Sequence, residues 1–398
     1  MRILFVNEGL TGGGGVETYL STLLPALHRA GHDIGVLHDN PASQTAPQRI
    51  APEGTWHAGV QDLGLENAIG KVREFAPDVC LSHNMRSLDV ESRLIDEWPV
   101  VKMMHGHFGT CVSGQKTFVF PAIVACARTF GPGCLVHYLP RRCGHASPVR
   151  MMREYKWGNE QRSLFSEYQA IVVASRYMRD EYLRAGVPPG SVHAIPLFAP
   201  PVPRDAQVGG TRPIDVLFIG RLTNLKGADA VVDAVSAAGR RLGRPLTTVF
   251  AGEGPELAYV RDLAVARGVN ATFPGWVTAD ERDRLIRDAS ILAVPSRWPE
   301  PFGLVGLEAA AFGTPAVAFD IGGIRDWLTN DENGRLIDPA TDSDGMGDAI
   351  AQILGNPALH ARLSAGALAA AARFTIDAHV AALTRVLQQA SGLPTAAE

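Results

Sequence analysis

The sequence predicts an α/β protein with two open domains, each built on a mostly parallel sheet, that face a cleft. Three observations lead to this prediction. Short apolar runs alternate with longer amphipathic segments, the alternation occurs in both halves of the chain, and a stretch rich in proline and glycine separates the halves. Such alternation is typical of βα units, in which helices cover both faces of apolar strands. At 398 residues the chain is also too long for one ordinary core.

The individual elements follow from these runs in chain order. The strands predicted in the first half lie at residues 2–6, 33–37, 78–81, 100–104, 170–174 and 193–195. Those predicted in the second half lie at residues 215–219, 247–251, 271–273, 291–294 and 316–319. Helices are predicted at residues 16–30, 304–311 and 376–390, where apolar side chains recur at helical spacing.

The proline- and glycine-rich stretch sets the domain boundaries, because it continues neither a helix nor a sheet. The prediction is an N-terminal domain at 1–198, a linker at 199–212, a C-terminal domain at 213–375, and a final helix and tail at 376–398. A segment of the first domain, about 105–160, is longer than an ordinary connection and forms an insert. Ligands of open α/β sheets bind beyond the carboxyl ends of the strands, so functional motifs are expected directly after strands.

Composition narrows the function classes. The net charge of −4 gives no reason to expect nucleic acid as a partner. No stretch approaches the about 20 apolar residues of a membrane span, and the N-terminal apolar run is too short for a secretory signal. The five cysteines are odd in number, which favours reduced thiols and a cytoplasmic protein. Four of them lie in or beside the insert without the close spacing of a zinc site, so buried thiols are the preferred interpretation.

A glycine-rich loop follows the first strand. Gly12, Gly13, Gly14 and Gly15 give bare backbone that a ligand can approach closely, just before a helix whose first amides favour an anion. A dinucleotide fingerprint is the competing interpretation, but Thr18 occupies the place of its third glycine. An ordinary turn without function is the other alternative.

Two cations follow the first strand of the second domain. Arg221 and Lys226 lie on a loop that enters a helix, where a diphosphate would be met by a guanidinium fork and an ammonium charge. The plain alternative is a pair of solvated cations. The position favours the binding role, because cations at a helix N-terminus forgo the favourable interaction with the helix dipole.

Two carboxylates follow a later strand of the same domain. Glu300 precedes the predicted helix at 304–311 and is placed to accept sugar hydroxyl groups, whereas Glu308 is placed to bind a ribose diol. The amides of Phe302, Gly303 and Leu304 are candidate donors to a phosphate. The alternative is that both carboxylates are structural or exposed. Glu308 lies in an otherwise apolar segment, where an unpaired carboxylate is costly.

Taken together, these motifs resemble the retaining GT-B glycosyltransferases of family 4, also called glycosyltransferase group 1. The residues that carry the resemblance are Arg221 with Lys226, Glu300 with Glu308, Gly313-Thr314-Pro315, Gly322-Gly323, and the Gly12–Gly15 loop with Glu17. The resemblance implies two Rossmann-like domains, the first for the acceptor and the second for the nucleotide sugar. It also implies a C-terminal helix that returns to the N-terminal domain.

The resemblance further implies roles for single residues. Arg221 and Lys226 would stabilise the departing diphosphate without a metal or other cofactor, Glu300 would hold the transferred sugar, and Glu308 would hold the ribose. The base would lie near Val277. His105 matches the position of a cleft histidine in the family and would hydrogen-bond the donor sugar, with His107 as the second choice.

The implied reaction is transfer of a hexose from a nucleotide-diphosphate sugar to a sugar, glycan or lipid-linked acceptor, with retention of configuration. It would belong to glycan, polysaccharide or glycolipid biosynthesis. Two alternatives stay open: a nucleotide-sugar epimerase of the same fold, and a non-catalytic protein that binds sugar nucleotides.

The insert is basic. No acidic residue occurs between Glu97 and Glu154, whereas cations and apolar pairs recur across residues 102–153. This segment predicts either peripheral contact with anionic lipid on the inner face of the cytoplasmic membrane or a phosphate-bearing acceptor. A basic face without a specific partner is the alternative.

Overall fold

A computed structural model describes residues 1–12, 15–40, 48–204, 206, 208–210 and 212–393. The chain forms two compact units. Unit 1 comprises Met1–Gln115, Arg128–Pro196 and Ile376–Glu398, and unit 2 comprises Lys116–Ala127 and Leu197–Thr375. Residues 116–127, which fall inside the predicted N-terminal domain, therefore group with unit 2.

The strands in chain order are β1 (Arg2–Asn7), β2 (Thr11–Gly12), β3 (Asp33–His38), β4 (Gln48–Arg49), β5 (Trp56–Gly59), β6 (Val79–Ser82), β7 (Val100–Met104), β8 (Thr117–Phe118), β9 (Val124–Ala125), β10 (Ala170–Val173), β11 (Val192–Ala194), β12 (Ile214–Ile219), β13 (Thr247–Ala251), β14 (Asn270–Gly275), β15 (Ala289–Val294), β16 (Ala316–Phe319) and β17 (Gly334–Ile337).

The helices are α1 (Gly15–Arg29), α2 (Val60–Leu63), α3 (Leu65–Phe75), α4 (Leu88–Ile95), α5 (Gly133–Tyr138), α6 (Pro148–Ser163), α7 (Arg176–Arg184), α8 (Ala228–Leu242), α9 (Leu257–Ala266), α10 (Ala279–Arg287), α11 (Val305–Ala310), α12 (Asp342–Gly355), α13 (Pro357–Ala371) and α14 (Ile376–Ser391). Short 3-10 turns occur at Leu164–Ser166, Pro189–Ser191, Gly322–Asp326 and Pro339–Thr341.

Unit 1 is built on a seven-stranded sheet in the order β11-β10-β7-β6-β1-β3-β5. Each neighbouring pair is parallel. The central strands are buried along almost their whole length, because helices cover both faces of a parallel sheet. The strand order turns back on itself at β1, so β1 and β6 form the switch point at which ligands of such sheets bind.

Unit 2 repeats the design with a six-stranded parallel sheet in the order β14-β13-β12-β15-β16-β17. Its switch point lies between β12 and β15. The largest part of its core is formed by α8 and α12 against the sheet, with Val231, Phe250 and Ile350 fully buried. The predicted α/β class with two parallel sheets is therefore confirmed.

The last helix belongs to unit 1, as the prediction of a returning C-terminal helix requires. Helix α14 packs against α1 and the strands β6 and β7. Among the strands of the two parallel sheets, the prediction missed β5 and β17. Both have only four residues, mix polar and apolar side chains and are partly exposed, so they lack the continuous apolar run that reveals a central strand.

Candidate functional site

The predicted cations and the first carboxylate of unit 2 lie at its switch point. Arg221 and Lys226 follow β12, and Glu300 follows β15, which is the neighbour of β12 in the sheet. The sheet order thus brings together two loops that are 74 residues apart in sequence. A crevice beyond the ends of these two strands is where an α/β sheet binds its ligand.

Backbone contacts hold the two loops against each other. Gly227 has a φ of +71°, and a Cβ at this position would lie 2.2 Å from the carbonyl oxygen of Pro295, so only glycine permits the approach. The amide of Arg297 donates to the carbonyl oxygen of Leu225 at 2.8 Å. The guanidinium of Arg297 then holds Asp229 in the first turn of α8.

The Glu300 carboxylate is held through one oxygen and left open at the other. Its Oε1 accepts hydrogen bonds from Lys226 Nζ at 2.5 Å, Ser296 Oγ at 2.5 Å and Trp298 Nε1 at 2.9 Å. Lys226 also lies 5.4 Å from the centre of the Trp298 ring. Among the residues that the structure describes, no donor reaches Oε2. The carboxylate is therefore fixed in orientation and still able to accept a ligand hydroxyl.

The Gly322-Gly323 turn supports the backbone of Glu300. The amide of Gly323 donates to the carbonyl oxygen of Glu300 at 2.8 Å. Gly322 has a φ of +60°, and a Cβ there would come within 2.4 Å of the same oxygen. This glycine pair thus positions the carboxylate without contacting its side chain.

Arg221 is exposed and makes no side-chain hydrogen bond or ion pair within the described part of the chain. Lys226, by contrast, is engaged with Glu300 and keeps about a third of its side chain exposed. The structure therefore places both cations on one loop at the switch point, but in different states: one guanidinium is available to a ligand and one ammonium is shared with a carboxylate.

Glu308 shows the same one-sided arrangement as Glu300. Its Oε1 accepts from Arg282 Nη1 at 2.6 Å, and no donor of the described residues reaches Oε2. Burial raises the pKa of Glu308 and the Arg282 guanidinium opposes that rise. Arg282 comes from α10, so the partner that a buried carboxylate requires is supplied by a neighbouring helix.

The other predicted residues of unit 2 differ in their surroundings. The Phe302 side chain is buried, and its carbonyl oxygen accepts from Trp327 Nε1 at 2.6 Å. The amides of Phe302, Gly303 and Leu304 donate no hydrogen bond to another described residue. Val277 lies in the loop after β14, which is the edge strand of the sheet.

In unit 1, His105 follows β7 and is partly exposed. Its Nε2 lies 2.9 Å from Nδ1 of His83, the residue directly after β6. Burial, together with the nearby cation of Lys102, lowers the pKa of His105 to about 3. A ring with this pKa is neutral at physiological pH.

His107 lies inside unit 1 rather than at its surface. Its side chain is fully buried and packs edge-to-face on Tyr177, with 5.8 Å between the ring centres. The Tyr182 hydroxyl lies 2.9 Å from the carbonyl oxygens of Gly106 and Phe108. It therefore contacts the backbone on both sides of His107.

Part of the predicted glycine loop is described. Gly12 belongs to β2, which pairs with β4, and Gly15 begins α1. A Cβ on Gly15 would meet nothing within 4 Å. Gly13 and Gly14 lie outside the described residues.

Comparison with known proteins identifies the family. Residues 204–369 match the family model of glycosyl transferases group 1, and residues 13–200 match the model of glycosyltransferase family 4. Together the two matches span nearly all of the chain from residue 13 to residue 369. The chain belongs to the group 1 glycosyltransferase family.

Curated relatives match about half of this chain at 34–35% identity. It is 34% identical over 241 residues to a D-inositol 3-phosphate glycosyltransferase of Xylanimonas cellulosilytica, which covers 56% of this chain and 57% of the relative. It is 35% identical over 221 residues to the glycogen synthase of Mycobacterium tuberculosis, which covers 54% of this chain and 51% of the relative. The chain thus spans about half the length of these curated relatives.

Solved structures share the fold at lower identity. Sucrose-phosphate synthase from Thermosynechococcus elongatus superposes with a TM-score of 0.68 at 20% identity and covers 98% of both chains. HepE of Anabaena, solved in complex with UDP, superposes with a TM-score of 0.66 at 20% identity and covers 98% of this chain and 100% of HepE. The GT-B fold expected from the sequence is therefore confirmed for this chain.

The basic segment 102–153 is less exposed than the sequence predicts. Lys102 and Lys116 are buried. The Lys102 ammonium forms an ion pair with Glu91 and also donates to Ser82 and the His83 carbonyl oxygen, so it belongs to the interior of unit 1. The prediction that Lys102 contributes to a surface is wrong. Glu91, on the neighbouring α4, pairs with the ammonium charge, and a charge that is paired in this way can lie in the interior. None of the five cysteines, all of which the structure describes, forms a disulfide bond.

A polar cavity of about 410 Å³ opens in unit 1. Its wall combines carboxylates, guanidinium groups, hydroxyls, an amide and an imidazole; the lining residues are Glu8, Arg86, Ser113, Gln115, Tyr138, Gly144, His145, Arg150 and Glu154. Glu154 lies 3.0 Å from Arg86 and 4.0 Å from Arg150, and Trp157 stacks on the Arg86 guanidinium. The cavity thus offers fixed donors and acceptors side by side.

Sequence reasoning missed several residues of these sites. Ser296 and Trp298 lie within the segment that carries Glu300, but nothing in the sequence shows that both turn toward one carboxylate oxygen. No local sequence pattern indicates that Arg282 pairs with Glu308. His83 was detectable, since it directly follows β6 and residues after strands are the expected functional positions.

Proposed function

We propose that this protein is a retaining glycosyltransferase that moves a hexose from a nucleotide-diphosphate sugar to a hydroxyl group of an acceptor, in glycan, polysaccharide or glycolipid biosynthesis. One observation carries the proposal. At the switch point of unit 2, an exposed guanidinium, an ammonium and a carboxylate with one open oxygen lie on two adjoining loops. This combination suits a sugar bound to a diphosphate.

The cations act on the leaving group. An ammonium has three donors; Lys226 gives one to Glu300 and keeps the others for phosphate oxygens. Arg221 offers a planar fork that binds phosphate oxygens in pairs. As the bond between the sugar carbon and the diphosphate oxygen breaks, negative charge grows on the diphosphate, and both cations stabilise that charge in the transition state.

The new bond forms between the same sugar carbon and the acceptor oxygen. Attack on the face that the diphosphate leaves retains the configuration, and the acceptor proton passes to a departing phosphate oxygen. Glu300 Oε2 holds hydroxyl groups of the transferred sugar, and Glu308 Oε2 holds the ribose. Because two cations neutralise the diphosphate, the reaction is proposed to need no metal ion.

The structures of HepE suggest UDP-glucose as the first donor to test. HepE has been solved with UDP and with UDP-glucose. A thermal-shift series with UDP-, GDP- and ADP-sugars identifies the base, and product analysis with candidate acceptors identifies the linkage. The same assay in excess chelator tests the metal requirement, and a loss of transfer that added Mg²⁺ or Mn²⁺ restores would contradict metal independence.

The variant Lys226→Ala tests the leaving-group role. Transfer is expected to fall at least about a hundredfold, which is the usual effect of removing one transition-state donor. Arg267→Ala is the matched control, because Arg267 is an exposed cation of the same unit. A rate near that of the wild-type protein would contradict the assignment.

The same experiments distinguish two other functions. Consumption of the donor without an acceptor, giving an isomeric nucleotide sugar, would indicate an epimerase. Donor binding without any transfer, unaffected by Glu300→Gln, would indicate a non-catalytic binding protein. Transfer with retained configuration, abolished by Glu300→Gln, is the result that the proposal requires.

The acceptor is proposed to bind in the cavity of unit 1. Side-by-side carboxylates, guanidinium groups and hydroxyls suit a polyhydroxylated molecule such as a sugar or glycan headgroup. Arg150→Ala is expected to raise the acceptor KM about tenfold and to leave the donor KM unchanged. Arg153→Ala is the control, because Arg153 lies on the same helix but does not line the cavity. Equal effects of the two variants would contradict the proposal.

The protein is further proposed to be cytoplasmic and to touch the inner face of the membrane through α6. In the described chain no helix is long and apolar enough to span a membrane. On α6, Val149 and Met152 are 80% and 51% exposed, and Arg153 is exposed beside them. Sedimentation with phosphatidylglycerol vesicles, but not phosphatidylcholine vesicles, is expected to weaken in Val149→Ser but not in Val265→Ser, a control that is 83% exposed in unit 2. Equal sedimentation of all three proteins would contradict membrane contact.

A further inference from the structure

A row of four rings, three of them buried and the fourth partly exposed, crosses unit 1 beneath the carboxyl end of its sheet. His83 follows β6, His105 follows β7, Tyr19 lies on α1 and His379 lies on α14. The rings of His83 and His105 stack with their centres 5.2 Å apart, and Tyr19 packs against both. Because β6 is one of the two strands at the switch point, this row reaches the ligand-binding edge of the sheet.

At the end of the row that is formed by Tyr19 and His379, the positions of the protons are defined. Nδ1 of His379 lies 2.7 Å from the carbonyl oxygen of Pro196, and a carbonyl only accepts, so Nδ1 carries a proton. Burial lowers the pKa of His379 to about 4, so the ring is neutral and its Nε2 carries no proton. Tyr19 therefore donates its hydroxyl proton to Nε2 of His379 at 2.8 Å. The Tyr19 proton is thus directed away from the histidine pair.

At the other end, the pair His83 and His105 allows two arrangements of the proton that they share. Nδ1 of His83 and Nε2 of His105 are 2.9 Å apart, so one of them donates and the other accepts. The remaining nitrogen of His83, Nε2, is buried and has no hydrogen-bond partner among the described residues. If Nδ1 of His83 accepted, the neutral ring would bury a proton on Nε2 with nothing to receive it. Buried N–H groups without an acceptor are rarer than buried acceptors without a donor.

The favoured arrangement therefore has His83 as the donor. We infer that His83 is a positioning residue that fixes the tautomer of His105, so that His105 presents a neutral Nδ1–H donor to an oxygen of the bound substrate. Nε2 of His105 accepts the hydrogen bond from Nδ1 of His83, and Nδ1 of His105 makes no hydrogen bond to the described residues. The substrate role of His105 rests on the proposed function, whereas its tautomer does not.

The surroundings of the pair keep both rings neutral. The groups that face the pair are Lys102 on β7, Tyr19 on α1 and His379 on α14. Burial lowers the pKa of His83 and His105, and the cation of Lys102 acts in the same direction. His105 therefore serves as a fixed hydrogen-bond donor and does not exchange a proton during the reaction.

The tautomer is measured directly by NMR on protein labelled with ¹⁵N-histidine, in which protonated and bare ring nitrogens have distinct shifts. His105→Gln assigns the signals of His105. In the wild-type protein without ligand, Nδ1 of His105 is expected to be protonated and Nε2 bare, with no titration between about pH 5 and 8. A bare Nδ1, or a titration of His105 in this range, would overturn the inference.

Two variants of His83 separate its donor function from its shape. His83→Asn keeps an N–H donor close to the place of Nδ1, and His83→Phe keeps a flat ring beside Phe5 but has no donor. His83→Asn is expected to retain the His105 tautomer and kcat/KM within about threefold. His83→Phe is expected to yield mixed tautomers and a kcat/KM at least about tenfold lower.

The outcomes also separate this inference from the proposed function. If His83→Phe folds, retains the Nδ1–H tautomer and keeps full activity, then His83 has no positioning role. If the tautomers behave as expected but no nucleotide sugar supports transfer by the wild-type protein, then the proposed function fails and the inference about the histidine pair stands. Circular dichroism and the unfolding midpoint verify that both variants fold.

Discussion

At the scale of single residues, the two carboxylates of unit 2 share one design. Each has one oxygen held by protein donors and one oxygen open, through Lys226, Ser296 and Trp298 for Glu300 and through Arg282 for Glu308. Hydrogen bonds to a charged group contribute about 1.5–3 kcal/mol each. The donors therefore hold a carboxylate in one orientation before any ligand binds, which lowers the cost of binding.

The substitution Ser296→Ala tests this orientation at Glu300. It removes one of three donors to Oε1 and leaves the charge intact, so kcat is expected to fall about tenfold while the Kd of the bare nucleotide stays within about twofold. Stopped assays and calorimetry measure the two quantities. Ser236→Ala is the matched control, because Ser236 lies on α8 away from the site and donates to the carbonyl oxygen of Arg267. Equal activity of both variants would show that Ser296 does not position Glu300.

Residue identity could be predicted for part of the site. Arg221, Lys226 and Glu300 were expected because each follows a strand, and strand ends are readable as apolar runs that stop. Ser296 and Arg282 were not expected. Serines and arginines are common on loops and helices, and only the folded chain shows which of them turn toward a carboxylate.

At the scale of elements, the loop after β12 and the loop after β15 meet through a glycine. Gly227, the residue directly before α8, has a positive φ and lies against the backbone of Pro295. The strand order makes the two loops neighbours, and the missing side chain lets them touch. Both conditions are needed before Lys226 can reach Glu300.

The substitution Gly227→Ala is expected to abolish transfer and to lower the free energy of unfolding by more than about 2 kcal/mol, since a positive φ and a backbone clash both oppose the new Cβ. Gly243→Ala is the matched control. Gly243 ends the same helix at a φ of +66°, but its Cβ would meet nothing within 4 Å. Urea unfolding and the transfer assay compare them, and a Gly227→Ala variant as active as Gly243→Ala would contradict the close contact.

The buried pair Lys102–Glu91 joins β7 to α4 in unit 1. Tyr168 also donates to Glu91 at 2.7 Å, so the carboxylate lies within a buried network. Lys102→Met is expected to destabilise the protein by about 3–5 kcal/mol, because it leaves an unpaired charge in the interior. The double variant Lys102→Met with Glu91→Leu is expected to recover part of that loss in urea unfolding. A double variant less stable than either single variant would contradict this account.

At the scale of the whole molecule, buried neutral histidines make stability depend on pH. Burial lowers the pKa of His105 to about 3 and of His379 to about 4, and lowers that of His83 as well. In the unfolded chain these rings bind a proton below their ordinary pKa of about 6.5. The unfolded state thus binds more protons than the folded state in this range.

The free energy of unfolding is therefore expected to fall as pH decreases from about 6.5 toward 4, by up to about 1.4 kcal/mol per pH unit for each such ring. Urea unfolding at pH 7.5 and 5 measures the change. His379→Gln is expected to flatten the slope, since one of the three rings is removed. Equal or greater stability at pH 5 would contradict the buried, neutral state of these histidines.

The sequence by itself determined the alternation of strands and helices, the two-sheet class, the loops that are proposed to carry function, and the family. These properties depend on residues close together in the chain, whose apolar periods and strand ends can be read locally. The tertiary structure decided that Lys102 lies inside, that Arg282 pairs with Glu308 and that His83 contacts His105. Each of these contacts joins different elements, so strand order and side-chain packing decide it, and neither is encoded in any short stretch of sequence.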